Sequence, residues 1–171
     1  FSLLGSEFGE ISAKSEWNNK KKVADITASN NLKGVKMFDI GGYYDPEARK
    51  INVNIKASKL PIDALNPLLK FFASDINGLA SGKLYLMGEF NKLVLTGAVF
   101  AENASMKIDY LQTKYKINDT IRFDKKGIKF NNIRVMDEKG NFATLSGSVN
   151  HKYFKDYNVD ILINTNNCLV L

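Results

Sequence analysis

Alternation of apolar and polar residues is the feature that most constrains this chain, and it continues along nearly all of the 171 residues. Ile51, Val53 and Ile55 share one parity with polar residues between them, and residues 159–163 repeat the pattern. A period of two places successive side chains on opposite faces of a β-strand. The sequence therefore predicts an all-β fold whose strands each have one apolar and one polar face.

The predicted strands follow one another through short connections. The eleven candidates are residues 7–16, 23–29, 35–44, 50–57, 83–90, 92–100, 104–110, 114–123, 127–136, 142–150 and 157–164. Residues 124–127 and 137–140 share the form Asp, any residue, Lys, Gly, which is typical of tight turns. Short turns join antiparallel neighbours, so the order predicts one long antiparallel meander.

A phase slip in one strand predicts that the sheet is curved. Ile128 and Phe130 lie on even positions, whereas Ile133 and Val135 lie on odd positions. An extra residue between them indicates a β-bulge, which bends and twists an antiparallel sheet. The alternation also continues to Leu171, so we expect residues 1–171 to form a single β domain that is a piece of a longer sheet.

Residues 61–73 depart from the strand pattern. Ile62, Leu65, Leu68, Leu69 and Phe72 follow the spacing of one helical face. A proline suits the first turn of a helix at position 61, whereas the proline at position 67 is expected to break or kink it. The segment predicts one short, broken helix that lies on the sheet or closes one end of it.

Charge and composition exclude some classes of function. The net charge is +6, but the cations are mostly scattered along the sequence, and the one tight run, residues 20–22, is interpreted as a hairpin tip. Nearly all the cations are Lys, whereas base readout relies on Arg, so no nucleic-acid partner is expected. The 44% hydrophobic content, with eleven Phe and seven Tyr, excludes a disordered segment.

The sequence contains few residues suited to catalysis. His151 is the one histidine and is interpreted as an exposed turn residue, while Cys168 is the one cysteine and excludes a disulfide framework. Carboxylates such as Asp119, Asp124 and Asp137 fall in predicted turns, where their side chains bond to the backbone. The sequence therefore predicts a protein that is not an enzyme and that has no cofactor and no metal site.

A glycine-punctuated stretch carries a resemblance to a known family. Gly78, Gly82, Gly88 and Gly97 are followed by Asn103 and Ala104, Tyr115, Phe123, residues 127–130, residues 137–140, and then Leu145, Gly147, Val149, Asn150 and His151. This order resembles the C-terminal region of the TamB family, the AsmA-like translocation and assembly proteins of diderm bacteria. The match covers residues 65–164, and residues before 50 match as generic strands. Leu93 departs from the family, which often has a proline there.

The resemblance implies a long sheet folded like a taco or half-pipe with an apolar concave side. It also implies a periplasmic location, with the full-length protein anchored in the inner membrane by a segment outside these residues. The implied partners are phospholipid acyl chains and an outer-membrane assembly machinery of the TamA or BamA kind. A sheet with one apolar face needs that face covered, and acyl chains are a suitable filling.

The predicted hydrophobic groove consists of the apolar residues on one parity of each strand. They are Ile51, Val53, Ile55, Leu84, Leu86, Leu93, Leu95, Val99, Met106, Ile108, Ile117, Ile121, Phe123, Val149, Val159, Ile161 and Ile163. Lipid transport and outer-membrane protein assembly are the functions expected of it. Two alternatives stay open: an interaction module that receives client β-strands by augmentation, and a closed β-sandwich that binds a soluble ligand such as a glycan.

Overall fold

The computed structural model describes residues 2–3, 6–7, 9–65, 73–109, 112–165 and 167. The strands are β1 (Ser2–Leu3), β2 (Ser6–Glu7), β3 (Glu10–Asn18), β4 (Val23–Asn31), β5 (Phe38–Asp45), β6 (Lys50–Pro61), β7 (Ala73–Glu89), β8 (Val94–Ile108), β9 (Thr113–Asp124), β10 (Gly127–Met136), β11 (Phe142–Lys152) and β12 (Lys155–Thr165). β1 pairs with β2, and the other ten strands form one open sheet. The predicted fold class, a long antiparallel sheet with one short helix, is confirmed.

Each strand of the large sheet lies beside the strands that precede and follow it in the sequence, and every pair is antiparallel. The Asp124 carboxylate accepts hydrogen bonds from the backbone N–H groups of Lys126 and Gly127, at 2.7 and 3.0 Å. Asp137 accepts two such bonds within its own turn, both at 2.9 Å. The predicted turn role of Asp124 and Asp137 is confirmed. Asp119 was also expected in a turn, but it lies within β9, paired with a residue of β8. The sheet is a pure meander.

Strand register assigns each side chain to one face of the sheet. Val53 lies opposite Leu86, which lies opposite Leu95, so a row of apolar side chains crosses β6, β7 and β8. Lys56 and Lys83 lie opposite each other on the other side. Directly opposed residues project from the same face. We call the side with Val53 the apolar face and the side with Lys56 the polar face.

Irregularities in the ladder bend the sheet. The predicted bulge is confirmed, because the pairing of β10 with β11 shifts between Phe130 and Ile133 and Asn132 has a φ of 53°. Further register shifts interrupt the pairing of β6, β7 and β8 with their neighbours. Each bulge adds local twist and bends its strand. The long antiparallel sheet is curved as a result.

Two predicted strand extents are wrong, and both errors lie where register shifts interrupt the pairing of β7 and β8. Residues 92–100 and 104–110 were expected as separate strands, but β8 runs through both with a register shift between Ala101 and Ala104. The shift moves the apolar face from odd to even positions, which in the sequence looks like the end of a strand. Residues 73–82 were not expected in a strand, since they are rich in Ser, Asn and Gly, yet they form the first part of β7.

The helical segment is shorter in the described residues than its periodicity indicates. A 3-10 helix spans Ile62–Leu65, and residues 66–72 of the predicted helix lie outside the described part of the chain. Pro61 is the last residue of β6 and does not begin a helix. Ile62 is 8% exposed, so the connection that leaves β6 is held against the sheet by an apolar contact.

Gly97 illustrates how closely the backbones approach inside the sheet. Its φ is 128°, and a Cβ atom added there would overlap the carbonyl oxygen of Lys83 on β7. Gly97→Ala should lower the free energy of unfolding by about 2–4 kcal/mol, because it adds both backbone strain and a steric clash. The control is Gly34→Ala, where φ is 86° and nothing lies within 4 Å of the added atom. Urea denaturation of both variants tests this, and equal losses would contradict the close approach.

Candidate functional site

One end of the apolar face is closed. Its buried side chains, here called the closed core, are Ile62, Ala73, Ile76, Ala80, Ala101, Ala104, Tyr115, Ile117, Ile133, Val135 and Ala143. Ile133 and Ile76 are 1% and 2% exposed. Because Ile62 comes from the 3-10 helix, the connection between β6 and β7 contributes to this packing. The closed core therefore serves stability.

The apolar face continues beyond the closed core without being fully buried. Six large aliphatic side chains there, here called the open apolar surface, are Ile51, Ile55, Leu84, Leu86, Leu93 and Leu95. All six are half-buried, and none of them belongs to the closed core or packs against it. Large aliphatic side chains that keep contact with water side by side mark a surface suited to binding. This is the candidate functional site.

Most of the predicted groove residues fall in these two regions, whereas Val53 and Val149 are buried outside the closed core. Val53, Ile117 and Val149 are buried; Val99, Met106, Ile108, Ile121 and Ile163 are partly buried against the closed core; and Phe123 is half-buried like the six of the open apolar surface. Register places the members within strands on the apolar face. The sequence located the face, but it did not distinguish its closed part from its open part.

Val159 and Ile161 were expected to line the hydrophobic groove, but both side chains are exposed to solvent. They lie on the apolar face, opposite Val149 and Gly147, but keep 59% and 39% of their surface exposed. Their strand, β12, is at the edge of the sheet, so it has a neighbour on one side within the described residues. An edge strand receives fewer packing contacts on either face, which corrects the prediction for these two residues.

Some residues of the apolar face were missed by the sequence reading. Ile40 and Tyr44 on β5 project to this face, since Tyr44 lies opposite Ile51. The Tyr44 ring lies 5.5 Å from that of Phe90, which is 64% exposed at the turn between β7 and β8. Their common parity was a usable signal, but Gly42 interrupts the apolar series between them. The Tyr44 contact joins the apolar face to the hairpin ends.

Other kinds of site have weak support in the described part of the chain. No three or more His, Cys, Asp or Glu side chains come close enough there to hold a metal ion. Among the same residues, no helix has the length and apolar character needed to cross a membrane. A depression of about 970 Å³ lies between Gly9–Ser12 and Asn31–Gly34, away from the open apolar surface. Glu10 and Lys33 supply its charges, and no catalytic grouping accompanies them.

His151 was expected in an exposed turn but lies near the end of β11, half-buried. Its ring stacks on Phe154 at 4.6 Å and meets Tyr157 edge-on at 5.7 Å. Nδ1 accepts a hydrogen bond from the backbone N–H of Phe154 at 3.1 Å. This arrangement uses the neutral ring to order the β11–β12 hairpin.

Burial lowers the pKa of His151 below 6.5, against smaller opposing effects of a backbone hydrogen bond and of Asp124. The neutral ring is therefore favoured by folding, so its contribution is complete above the unfolded pKa and is lost as pH falls through the folded pKa. An NMR titration should give a midpoint below 6.5 for this ring. The β11–β12 hairpin should also loosen on acidification in the wild type more than in His151→Phe, and a midpoint above 6.5 would contradict the burial effect.

Comparison of the chain with protein-family models, with curated proteins and with solved structures finds no match in any of the three.

Proposed function

We propose that this chain is a non-enzymatic segment of a TamB-like periplasmic protein, and that it binds and conducts phospholipid through its open apolar surface. The supporting observation is that Leu84, Leu86 and Leu95 stay half-buried on a face whose other end is fully packed. A folding core alone does not need such residues to remain open. Acyl chains match them in chemistry, since they have neither charge nor hydrogen-bonding groups to satisfy.

The affinity expected of the open apolar surface for an acyl chain suits the transfer of lipid from one position to the next. Each methylene removed from water contributes about 0.8 kcal/mol, and association costs an estimated 4–15 kcal/mol in lost freedom and ordering. An acyl chain that contacts an open surface leaves part of its own area in water, so its gain stays near this cost. Binding is therefore reversible, and a lipid can exchange between neighbouring positions along the sheet. Such exchange runs in both directions, so net movement toward the outer membrane would require a lower chemical potential of lipid at that end.

The second candidate function is assembly of outer-membrane proteins by β-augmentation. Within the described residues, β3 and β12 each have a neighbour on one side only, and they are 9 and 11 residues long. Nearly all their side chains are exposed. Such edges are templates for an added strand, from a client or from a TamA- or BamA-like partner. The closed sandwich that binds a glycan has less support. It needs two facing sheets, whereas strands β3 to β12 form one open sheet.

Displacement of a fluorescent fatty acid tests the lipid-binding proposal. The purified protein should enhance the emission of the probe, and phosphatidylethanolamine should displace it in a saturable way. A peptide that adds to β3 or β12 should leave the signal unchanged, because the edges and the open apolar surface are separate. A probe whose emission stays at its value in water would refute lipid binding, and displacement by the peptide alone would favour augmentation.

A further inference from the structure

The meander gathers charge that is dispersed in the sequence. The turns after β3, β5, β7, β9 and β11 all lie at one end of the sheet, since consecutive strands are antiparallel. We call this end the tip edge. Its turns, residues 19–22, 46–49, 90–93, 125–126 and 153–154, carry seven cations and one carboxylate: Lys20, Lys21, Lys22, Arg49, Lys92, Lys125, Lys126 and Glu47. In the connections at the opposite end, the described residues 32–37, 62–65, 109, 112 and 137–141 contain three cations and four carboxylates.

Most of these cations are free to bind an anion. All seven are exposed. Lys92 lies 3.6 Å from Glu89, an exposed pair that contributes little. For the other six, no carboxylate of the described residues lies within ion-pair distance. The polar face also carries opposed cations, such as Lys56 with Lys83, but they lie on the side of the sheet away from the acyl-binding residues.

The tip edge lies beside the open apolar surface. Phe90, at the turn between β7 and β8, contacts Tyr44 on the apolar face. Leu86 is four residues and Leu84 six residues from Phe90, which corresponds to roughly 13 and 20 Å along a strand. An acyl chain reaches about 15 Å, half the hydrocarbon thickness of a bilayer. A lipid with its head group at the tip edge would therefore lay its chains over Leu86 and end before Leu84, short of the closed core.

We propose that the tip edge binds the phosphate head groups of acidic phospholipids whose acyl chains occupy the open apolar surface. This inference rests on the proposed function and adds head-group selectivity to it. Tips on every second strand stand about 10 Å apart, so the four tips that carry cations, those between β3 and β10, form a row of cationic positions along the sheet. A lipid moving along the apolar face would meet a cation at each step.

The anionic phosphates could belong to single bound lipids or to a flat membrane, and the twist of the sheet favours single lipids. Adjacent strands rotate by about 20–25°, so the nine steps from β3 to β12 turn the tip edge through roughly 180°. A planar bilayer can touch only a few neighbouring tips of such an edge. Lipids bound along the apolar face follow its twist, and each keeps its head group near a tip.

The test compares the binding of short-chain phosphatidylglycerol and phosphatidylcholine, both below their critical micelle concentrations. The tip variant replaces Lys20, Lys21, Lys22, Arg49, Lys125 and Lys126 by Gln. A matched control replaces six exposed cations away from the tips, Lys14, Lys33, Lys36, Lys59, Lys116 and Lys139, so both variants lose the same charge. The wild type and the control should prefer phosphatidylglycerol by about tenfold, and the tip variant should lose that preference while still binding phosphatidylcholine.

The outcomes separate this inference from the proposed function. If the wild type binds both lipids equally, the head-group assignment fails and lipid binding stands; if it binds neither, the proposed function itself fails. A preference retained in the tip variant would also overturn the assignment. Binding of the tip edge to a bilayer surface would overturn it as well. In that case the wild type would sediment with phosphatidylglycerol vesicles and show no preference between the dispersed lipids, and the tip variant would not sediment.

Discussion

Ile133→Ala should lower the free energy of unfolding by about 2–5 kcal/mol, a large fraction of the 5–15 kcal/mol of a typical domain. Ile133 is 1% exposed in the closed core, opposite Leu145 and next to the bulge in β10. Truncation there removes buried methyl and methylene groups and leaves a cavity that a ten-stranded sheet cannot easily close. Urea denaturation followed by circular dichroism measures the loss.

Val159→Ala is the matched control for that experiment. Val159 is also β-branched and on the apolar face, but it is 59% exposed on the edge strand β12. Its truncation should change stability by no more than about 0.5 kcal/mol, as expected of an exposed position. Similar losses for Ile133→Ala and Val159→Ala would contradict the division of the apolar face into a closed core and an open part.

Leu95→Asp should abolish lipid binding while the protein keeps a cooperative thermal transition. Leu95 is half-buried opposite Leu86, in the middle of the open apolar surface. A carboxylate there retains part of its water in the free protein, so the folding cost stays far below that of an isolated buried charge. A bound acyl chain would strip that water away. The fluorescent fatty acid should therefore lose most of its enhancement with this variant.

Thr96→Asp provides the control, because it adds the same charge one residue further along β8. Thr96 lies opposite Tyr85 on the polar face, so a carboxylate there does not meet an acyl chain. This variant should bind lipid as the wild type does. Normal binding by Leu95→Asp would remove Leu95 from the lipid site, and a Leu95→Asp protein that cannot fold would show that this part of the face is closed.

The sequence predicted those features that depend on one strand and its turns. Alternation located β10 at its observed bounds, and the parity change around Asn132 predicted the bulge there. The bulge in β8 was missed, because polar residues follow Ala101 and the shift there made β8 look like two strands. The error arose where pairing with a neighbouring strand carried β8 through the irregular residues.

Features that depend on several strands could not be read from alternation. Ile117 and Leu95 look alike in the sequence, yet Ile117 is 4% exposed in the closed core and Leu95 is half-buried outside it. The difference comes from the packing of Ile62 and from the bulges at that end of the sheet. The cations likewise appear scattered until the antiparallel order places alternate turns at one end.

Native mass spectrometry is the most direct test of the claim that the open apolar surface binds phospholipid. The wild-type protein, incubated with phosphatidylethanolamine and phosphatidylglycerol and freed of excess lipid, should carry bound phospholipid. Thr96→Asp should carry the same load and Leu95→Asp little or none. A wild-type protein that is folded and free of lipid after this treatment would contradict the account, as would an equal load on Leu95→Asp.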